Sequence, residues 1–228
     1  MTCLSERHPM NIYLDIETIP LPVAEREFLR PAEADVKTGN LKDPAKIAAK
    51  IAEVREAWER GEDAALDSLQ ARVALIGYAI EDEPVQQLAL ADEADMLRQL
   101  WRAIAPQAYA LEIQLIGHNI RFDAGMLAHR GWLKGAAMPS YLIHDLYGYQ
   151  PRYWQDTMLR WQLGNRQAEF RKLQHLCAAF GIVVKQGPIT GANFAEWWAK
   201  DRAACLDYNR QDVEAVRALW QRLTAAGS

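Results

Sequence analysis

Apolar residues recur along this chain with two periods, one typical of strands and one typical of helices. Residues 11–17 (NIYLDIE) alternate with period two and predict a strand, which Thr18-Ile19-Pro20 should end because proline has no N–H to donate. Residues 132–170 show no regular period. The same two periods predict further strands at residues 72–80, 85–90 and 111–116, and helices at residues 44–60, 92–105, 121–130, 173–180, 193–200 and 201–223.

The order of these segments predicts the fold class. Strands and helices mix without strict alternation, which favours an α/β fold with a mixed central sheet flanked by helices. No repeat or linker divides the sequence, so we expect a single domain over residues 1–228 with a helical excursion at about 40–70. The excursion contains the helix whose two ends are most clearly marked in the sequence. Asp43 and Pro44 are typical of a helix start, and Gly61 is typical of a helix end.

Composition excludes several classes of protein. Half of the 228 residues are hydrophobic and 25% are charged, so the chain is neither disordered nor fibrous and can bury a core. No run of eighteen apolar residues occurs and no apolar stretch of signal-peptide length begins the sequence, so we expect a cytoplasmic protein with no membrane partner. Three distant cysteines indicate neither a disulfide framework nor a zinc site. The net charge of −4 argues against electrostatic coating of nucleic acid but allows an acidic, metal-loaded site.

Asp15 and Glu17 are the first candidates for chemistry. Two residues apart on a strand, their side chains leave the same face at a separation of about 7 Å. Carboxylates that close repel each other, and one tends to take up a proton unless a cation lies between them. Mg²⁺ and Mn²⁺ prefer such hard oxygen ligands. The alternative is that both side chains belong to the solvent face of an edge strand.

The segment GHNIRFD, residues 117–123, is the second candidate. It follows a predicted strand and opens a predicted helix, which is where ligands bind in open α/β sheets. Asp123 should lie near the first helical turn, with Phe122 packing inward as an anchor. The alternative is a helix-capping Asn119, followed by an acid that the helix dipole favours.

Tyr208 and Asp212 are the third candidates. They are four residues apart and share one face of the last predicted helix. That face continues through Val216, so Asp212 should lie on a largely buried stripe, where a carboxylate is costly unless it meets a cation or a metal. The alternative is a partial salt bridge to Arg210 or Arg217.

The three segments DIET, NIRFD and YNRQD resemble the three exonuclease motifs of the DEDD family of 3′–5′ exonucleases. They span residues 15–212, nearly the whole chain, and their order and flanking residues make the match specific. Within that family the chain is most similar to predicted exonucleases related to the exonuclease domain of family B DNA polymerases. Tyr208 stands four residues before Asp212, as in the tyrosine subclass, DEDDy, whereas the histidine variant would place its histidine where this sequence has Asp207.

The resemblance implies an RNase H-like fold and a metal-dependent enzyme that removes nucleoside 5′-monophosphates from the 3′ end of nucleic acid. It implies two divalent cations, Mg²⁺ or Mn²⁺, with Asp15 bridging both and Tyr208 orienting the attacking water. The implied metal ligands are Asp15, Glu17, Asp123 and Asp212. The residues implied to contact substrate are Thr18, Ile19, Asn119 and Phe122.

Nucleic acid with a single-stranded 3′ end is the expected partner, and DNA is the leading substrate. A basic and aromatic cluster is the predicted strand-binding wall. Its members are Arg152, Tyr153, Trp154, Arg160, Arg166, Arg171 and Lys172. The alternatives are an exoribonuclease, a catalytically silent nucleic-acid-binding module, and an unrelated metal-dependent hydrolase such as a phosphatase.

Overall fold

The computed structural model of the protein describes residues 9–110, 113–148, 151–165, 167–184 and 187–225. The chain divides into two compact units, a smaller one of residues 18–72 and a larger one formed by the residues on either side. The helical excursion predicted at about 40–70 lies in the smaller unit. The single domain expected from the sequence stays a prediction.

Five strands form one mixed sheet. They are β1 (Met10–Pro20), β2 (Ala71–Ile80), β3 (Gln86–Leu88), β4 (Ile113–Gly117) and β5 (Trp154–Asp156). The strand order is β3-β2-β1-β4-β5, with β2 and β3 antiparallel and the pairs β1–β4 and β4–β5 parallel. The predicted α/β class with a mixed sheet flanked by helices is confirmed, and β2 and β3 form an antiparallel hairpin.

Helices precede, join and follow these strands. In the smaller unit they are α1 (Val23–Arg26) and α2 (Pro44–Arg60), with short 3-10 helices at Glu27–Leu29, Glu33–Asp35 and Ala64–Leu66. In the larger unit they are α3 (Glu93–Ala110), α4 (Ile120–Lys134), α5 (Ser140–Leu146), α6 (Thr157–Trp161), α7 (Leu173–Ala179), α8 (Phe194–Lys200) and α9 (Arg202–Ala225). Over the described ranges, no helix has both the length and the apolar character needed to span a membrane.

The central strand β1 is buried on both of its faces. Ile12 and Leu14 on one face are 0% and 1% exposed, and Tyr13 on the other is 2% exposed. Tyr13 belongs to a core cluster with Val213 and Val216 of α9, so this helix packs on the face of β1 that also carries the predicted acids.

Parallel pairing decides where the functional side chains meet. The carboxyl ends of β1, β4 and β5 lie at the same edge of the sheet. Tyr13 pairs with Ile116, the last residue but one of β4, so Asp15 and Glu17 extend beyond the end of that strand. The chain turns into α4 directly after β4, and this places the start of that helix beside the two acids.

Two predicted boundaries are wrong. β1 continues through Thr18 and Ile19 to Pro20, because the φ of proline is compatible with an extended last residue. α4 does not stop at Gly131 but ends at Gly135, which has a φ of 63°. Gly131 is needed for packing instead, since a Cβ there would lie 2.9 Å from the carbonyl oxygen of Ala136.

Residues 132–170 also contain more structure than their pattern predicts, namely α5, β5 and α6. Each is short, and β5 has only three residues, so no period could show. The remaining helices agree with the prediction apart from their ends, and α3 runs five residues further, from the predicted 105 to Ala110. The first two residues of the predicted strand at 111–116 lie outside the described residues.

In the smaller unit, α2 begins and ends where its sequence predicts. The Asp43 side chain accepts the N–H of Ala45 at 2.9 Å, and Gly61 ends the helix with a φ of 77°. The C-terminal carbonyls of α2 meet the buried Arg26, whose guanidinium donates to Trp58 at 2.5 Å and to Glu59 at 3.0 Å. A cation at a helix C-terminus is favourable because the helix dipole is negative there.

Candidate metal centre

β1 presents Asp15 and Glu17 on the face of the sheet that α9 covers, where Asp15 is half-buried and Glu17 is buried. The strand lies in the middle of the sheet, and Glu17 is 8% exposed. The alternative that these acids belong to the solvent face of an edge strand is therefore wrong. Two carboxylates on the covered face of a central strand need compensation from elsewhere in the fold.

α9 brings a third carboxylate to the same place. Asp212 is 8% exposed, and its ligand oxygen forms a group with those of Asp15 and Glu17 in which all lie within 4.8 Å of one another. In the part of the chain that the structure describes, neither Arg210 nor Arg217 forms the alternative salt bridge to Asp212. Arg210 pairs with Asp207 and Glu214, and Arg217 donates to a backbone carbonyl. 

α4 places Asp123 against β1 from the other side. Its Oδ1 accepts the backbone N–H of Ile16 at 3.1 Å, and Ile16 lies between the two acids of β1. Asp123 is 6% exposed but lies outside the group of three mutually close oxygens. The predicted acids thus converge from strand, helix start and long helix, although the closest grouping holds three of the four.

Asn119 shapes the entry into α4 through its backbone. Its φ of 58° is left-handed, a conformation that asparagine tolerates better than most residues, and its side chain makes no capping hydrogen bond. Its N–H donates to the Asp156 carboxylate at 3.0 Å. The capping alternative for the Asn119 side chain is therefore wrong.

Burial raises the pKa of each acid in the cluster, and repulsion from neighbouring carboxylates raises those of Asp15 and Glu17 further. Removal from water, followed by the neighbouring carboxylates, holds the pKa values of Asp15 and Glu17 well above their ordinary range. Burial raises the pKa of Asp123 to about 8 against the hydrogen bond from Ile16, and that of Asp212 to about 6 against the opposing effect of the Tyr208 hydroxyl. The protein alone thus gathers carboxyl groups that cannot all be ionised at neutral pH without positive charge.

The Tyr208 hydroxyl is one helical turn from Asp212 and favours the ionised form of that carboxyl group. Burial, and then the charges of Asp212, Glu17 and Asp15, raise the pKa of Tyr208 well above its usual value of 10. The phenol therefore keeps its proton at neutral pH and can orient a neighbouring group but cannot act as a base.

The donors fit a hard divalent cation. Three carboxylate oxygens within 4.8 Å of one another are the ligand type that Mg²⁺ and Mn²⁺ prefer. Their pKa values are raised because the carboxylates are buried and repel one another, and a divalent cation would offset that repulsion. Among the clustered acids, Asp212 lines a cavity of about 760 Å³, and Tyr208 lines the same cavity. Ligand-binding cavities in proteins commonly have about 300–1,000 Å³.

The residues predicted to contact substrate do not all lie in one place. Thr18 and Ile19 follow Glu17 in β1, and the Thr18 hydroxyl donates to the Ala65 carbonyl at 2.6 Å. Asn119 lines a second cavity of about 330 Å³, which is not the one that Tyr208 and Asp212 line. Phe122, which the sequence predicts to pack inward, is half-buried.

One member of the predicted strand-binding wall is not a surface residue. Trp154 is 4% exposed and its indole N–H donates to the Leu142 carbonyl, so it belongs to the core. Arg160 lies over the ring of Trp220 at 5.0 Å, and Arg171 pairs with Glu169. The positions of Arg152, Tyr153 and Lys172 add no support for nucleic-acid binding. Arg166 lies outside the described residues.

Two residues that contact the site were given no role by the sequence argument. Asp156 accepts the N–H groups of Asn119 and Met158 and so ties the end of β5 to the start of α4. Asn209 is completely buried and donates to the Asp15 carboxylate at 2.7 Å. The sequence could have indicated a role for Asn209, because it lies four residues before Val213 on the apolar stripe of α9. A polar residue on such a stripe is buried and needs a hydrogen-bond partner.

No protein-family model matches the chain, and no curated protein matches its sequence.

Proposed function

We propose that this protein is a metal-dependent 3′–5′ exonuclease of the DEDD family, tyrosine subclass, with an RNase H-like fold and with single-stranded DNA as its favoured substrate. One observation carries the proposal. Carboxylates far apart in the sequence, on β1 and α9, gather their oxygens within 4.8 Å of one another, and the fourth predicted acid contacts the backbone between the two on β1.

When bound, divalent cations at such a site activate a water molecule and neutralise charge on the phosphate. Asp15, Glu17 and Asp212 would hold the cations, and the fixed backbones of β1 and α9 would keep the three carboxylates in place. Asp123 would complete the set from the start of α4. Tyr208, protonated and one helical turn from Asp212, would orient the attacking water with its hydroxyl group.

Digestion of 5′-labelled oligonucleotides tests the proposal. Single-stranded DNA, duplex DNA and RNA of the same sequence would be incubated with the protein and Mg²⁺, Mn²⁺ or EDTA. We expect a ladder that shortens from the 3′ end of single-stranded DNA and that EDTA abolishes. Faster digestion of RNA would identify an exoribonuclease, and metal binding without any digestion would identify a silent binding module.

A matched pair of variants on α9 controls for contaminating nucleases. Asp212→Asn should abolish the ladder, because it removes a charged ligand at constant size. Glu214→Gln makes the same charge change two residues further on, at a side chain that is 50% exposed, and should leave digestion unchanged. A ladder that persists in the Asp212 variant would refute the assignment.

A further inference from the structure

Asn209 is a polar side chain that α9 buries completely beside the acidic cluster. Its Nδ2 donates to Asp15 Oδ2 at 2.7 Å and to the Asp15 carbonyl at 3.3 Å. The amide therefore contacts both the side chain and the backbone of the acid that the family resemblance assigns to both cations. A buried amide with two hydrogen bonds to one residue restricts the rotation of that residue.

A backbone carbonyl determines which way this amide points. The Leu206 carbonyl can only accept, so the Gln87 atom that lies 2.7 Å from it must be the NH₂ group. The same Nε2 lies 3.0 Å from Asn209 Oδ1, which is therefore an acceptor. The Asn209 NH₂ group must then face Asp15, and the hydrogen-bond chain has a single direction.

The surrounding strands leave room for this arrangement. Gln87 lies on β3 and pairs with Gly77 of β2 in the sheet. A Cβ on Gly77 would lie 2.2 Å from Asn209 Oδ1, so only glycine allows the amide to approach β2 this closely. Residues of β2, β3 and α9 thus converge on one buried amide and hold it against Asp15.

We infer that Asn209, itself held by Gln87, is a positioning residue that fixes the Asp15 carboxylate in the orientation needed to bind divalent cations. The inference rests on the proposed function, because it names the device that prepares the same site. One lone pair of Asp15 Oδ2 is taken by the amide, and Oδ1 and the rest of Oδ2 are left to the cations. Hydrogen-bonding partners of metal ligands commonly matter this much, and their loss costs about 10- to 100-fold in metal affinity or activity.

Mn²⁺ binding, measured from the electron paramagnetic resonance signal of free Mn²⁺, tests the inference without relying on activity. Asn209→Leu removes the donor at similar size, and Gln87→Met removes the group that orients it. We expect Asn209→Leu to weaken Mn²⁺ binding and kcat by about 10- to 100-fold, with KM for the oligonucleotide little changed. Gln87→Met should have a smaller effect in the same direction.

The double variant and a neighbouring control separate positioning from simple loss of stability. If Gln87 acts through Asn209, the double variant should bind Mn²⁺ no more weakly than Asn209→Leu alone. Gln86→Met changes the exposed neighbour of Gln87 on β3 and should bind Mn²⁺ like the wild type. If Asn209→Leu does not fold, Gln87→Met, which leaves the core of α9 intact, decides the question.

The outcomes for the two proposals differ. Wild-type Mn²⁺ affinity in both the Asn209 and Gln87 variants would overturn the positioning role while leaving the exonuclease proposal in place. Mn²⁺ binding by the wild type without any digestion of nucleic acid would overturn the exonuclease proposal, and the variants would still decide the role of Asn209. A wild type that binds no Mn²⁺ would overturn both.

Discussion

At the scale of single residues, the acidic cluster combines carboxyl groups in which the charge of one makes the ionisation of another less favourable. Asp15 and Glu17 are held next to Asp212, and each raises the cost of ionising its neighbours. Tyr208 stays protonated among them because burial, and then the same charges, oppose its ionisation. The acids therefore oppose one another's ionisation, and Tyr208 adds a hydroxyl group and no negative charge to the cluster.

Tyr208→Phe tests the role of that hydroxyl. The ring packs near Phe194, with centroids 6.3 Å apart, and phenylalanine preserves this contact. We expect Mn²⁺ affinity within about twofold of the wild type, and kcat lower by roughly a hundredfold because the attacking water is no longer oriented. Steady-state kinetics together with a Mn²⁺ titration measure both quantities. Unchanged turnover would remove Tyr208 from the mechanism.

The raised pKa of Asp123 predicts how stability depends on pH. Its carboxyl titrates near the ordinary value of 3.8 in the unfolded chain and at about 8 in the fold. Between these values the folded state binds more protons, so without metal the free energy of unfolding should fall as pH rises from about 4 to about 8. Asp123→Asn keeps an oxygen acceptor for Ile16 and should flatten this dependence.

Urea unfolding in EDTA at pH 5, 6, 7 and 8 measures the effect. The wild type should lose on the order of a few kcal/mol over this range, since one unit of pKa shift is worth about 1.4 kcal/mol. The Asp123 variant should lose clearly less and should be the more stable protein at pH 8. Parallel curves for the two proteins would contradict the assignment of the raised pKa to Asp123.

At the scale of secondary structure elements, α4 has two glycines with opposite roles. Gly125 has no atom within 4 Å of a Cβ built on it, whereas such a Cβ on Gly131 would lie 2.9 Å from the Ala136 carbonyl oxygen. Both residues lie inside the helix, so alanine improves the local helix propensity equally at either position. Only the close return of the chain at residues 136–138 distinguishes them.

Alanine at each position tests this difference within one helix. Gly125→Ala should raise the free energy of unfolding by about 0.5–1 kcal/mol, because glycine loses more backbone entropy on folding. Gly131→Ala should lower it by about 1–3 kcal/mol, because the backbone after α4 must shift away from the new methyl group. Urea unfolding of both variants at one pH is sufficient. A stabilised Gly131 variant would show that the close contact is easily relieved.

At the scale of the whole molecule, metal binding and folding stability should be linked. A cation that binds the folded state alone stabilises it by about 2.7 kcal/mol at a hundredfold excess over its Kd. At pH 8 we therefore expect Mn²⁺ to raise the melting temperature of the wild type and EDTA to reverse the increase.

Asp15→Asn should separate stability from metal binding. It removes one of several repelling charges, so without metal this variant should melt above the wild type at pH 8. The same variant should gain little or nothing from Mn²⁺. Calorimetry with and without EDTA compares the two proteins. A Mn²⁺ effect of equal size in both would place the cation somewhere other than at Asp15.

The sequence by itself determined the features that depend on neighbouring residues. The start and end of α2 follow from Asp43, Pro44 and Gly61, because capping is a matter of adjacent backbone groups. The alternation in β1 placed Asp15 and Glu17 on one face, and helical spacing placed Tyr208 and Asp212 on one face of α9. Family resemblance then named the acids without showing that they meet.

Only the tertiary structure decided the features that depend on distant segments. β5 was invisible because three residues carry no period, and its place beside β4 comes from pairing alone. Gln87 and Asn209 are 122 positions apart, so no local pattern could join them. Asp15 lies on a central strand because β2 and β4 pair on either side of β1. Sheet order is set by which long-range pairs bury the most apolar surface, and that sum exists only in the folded chain.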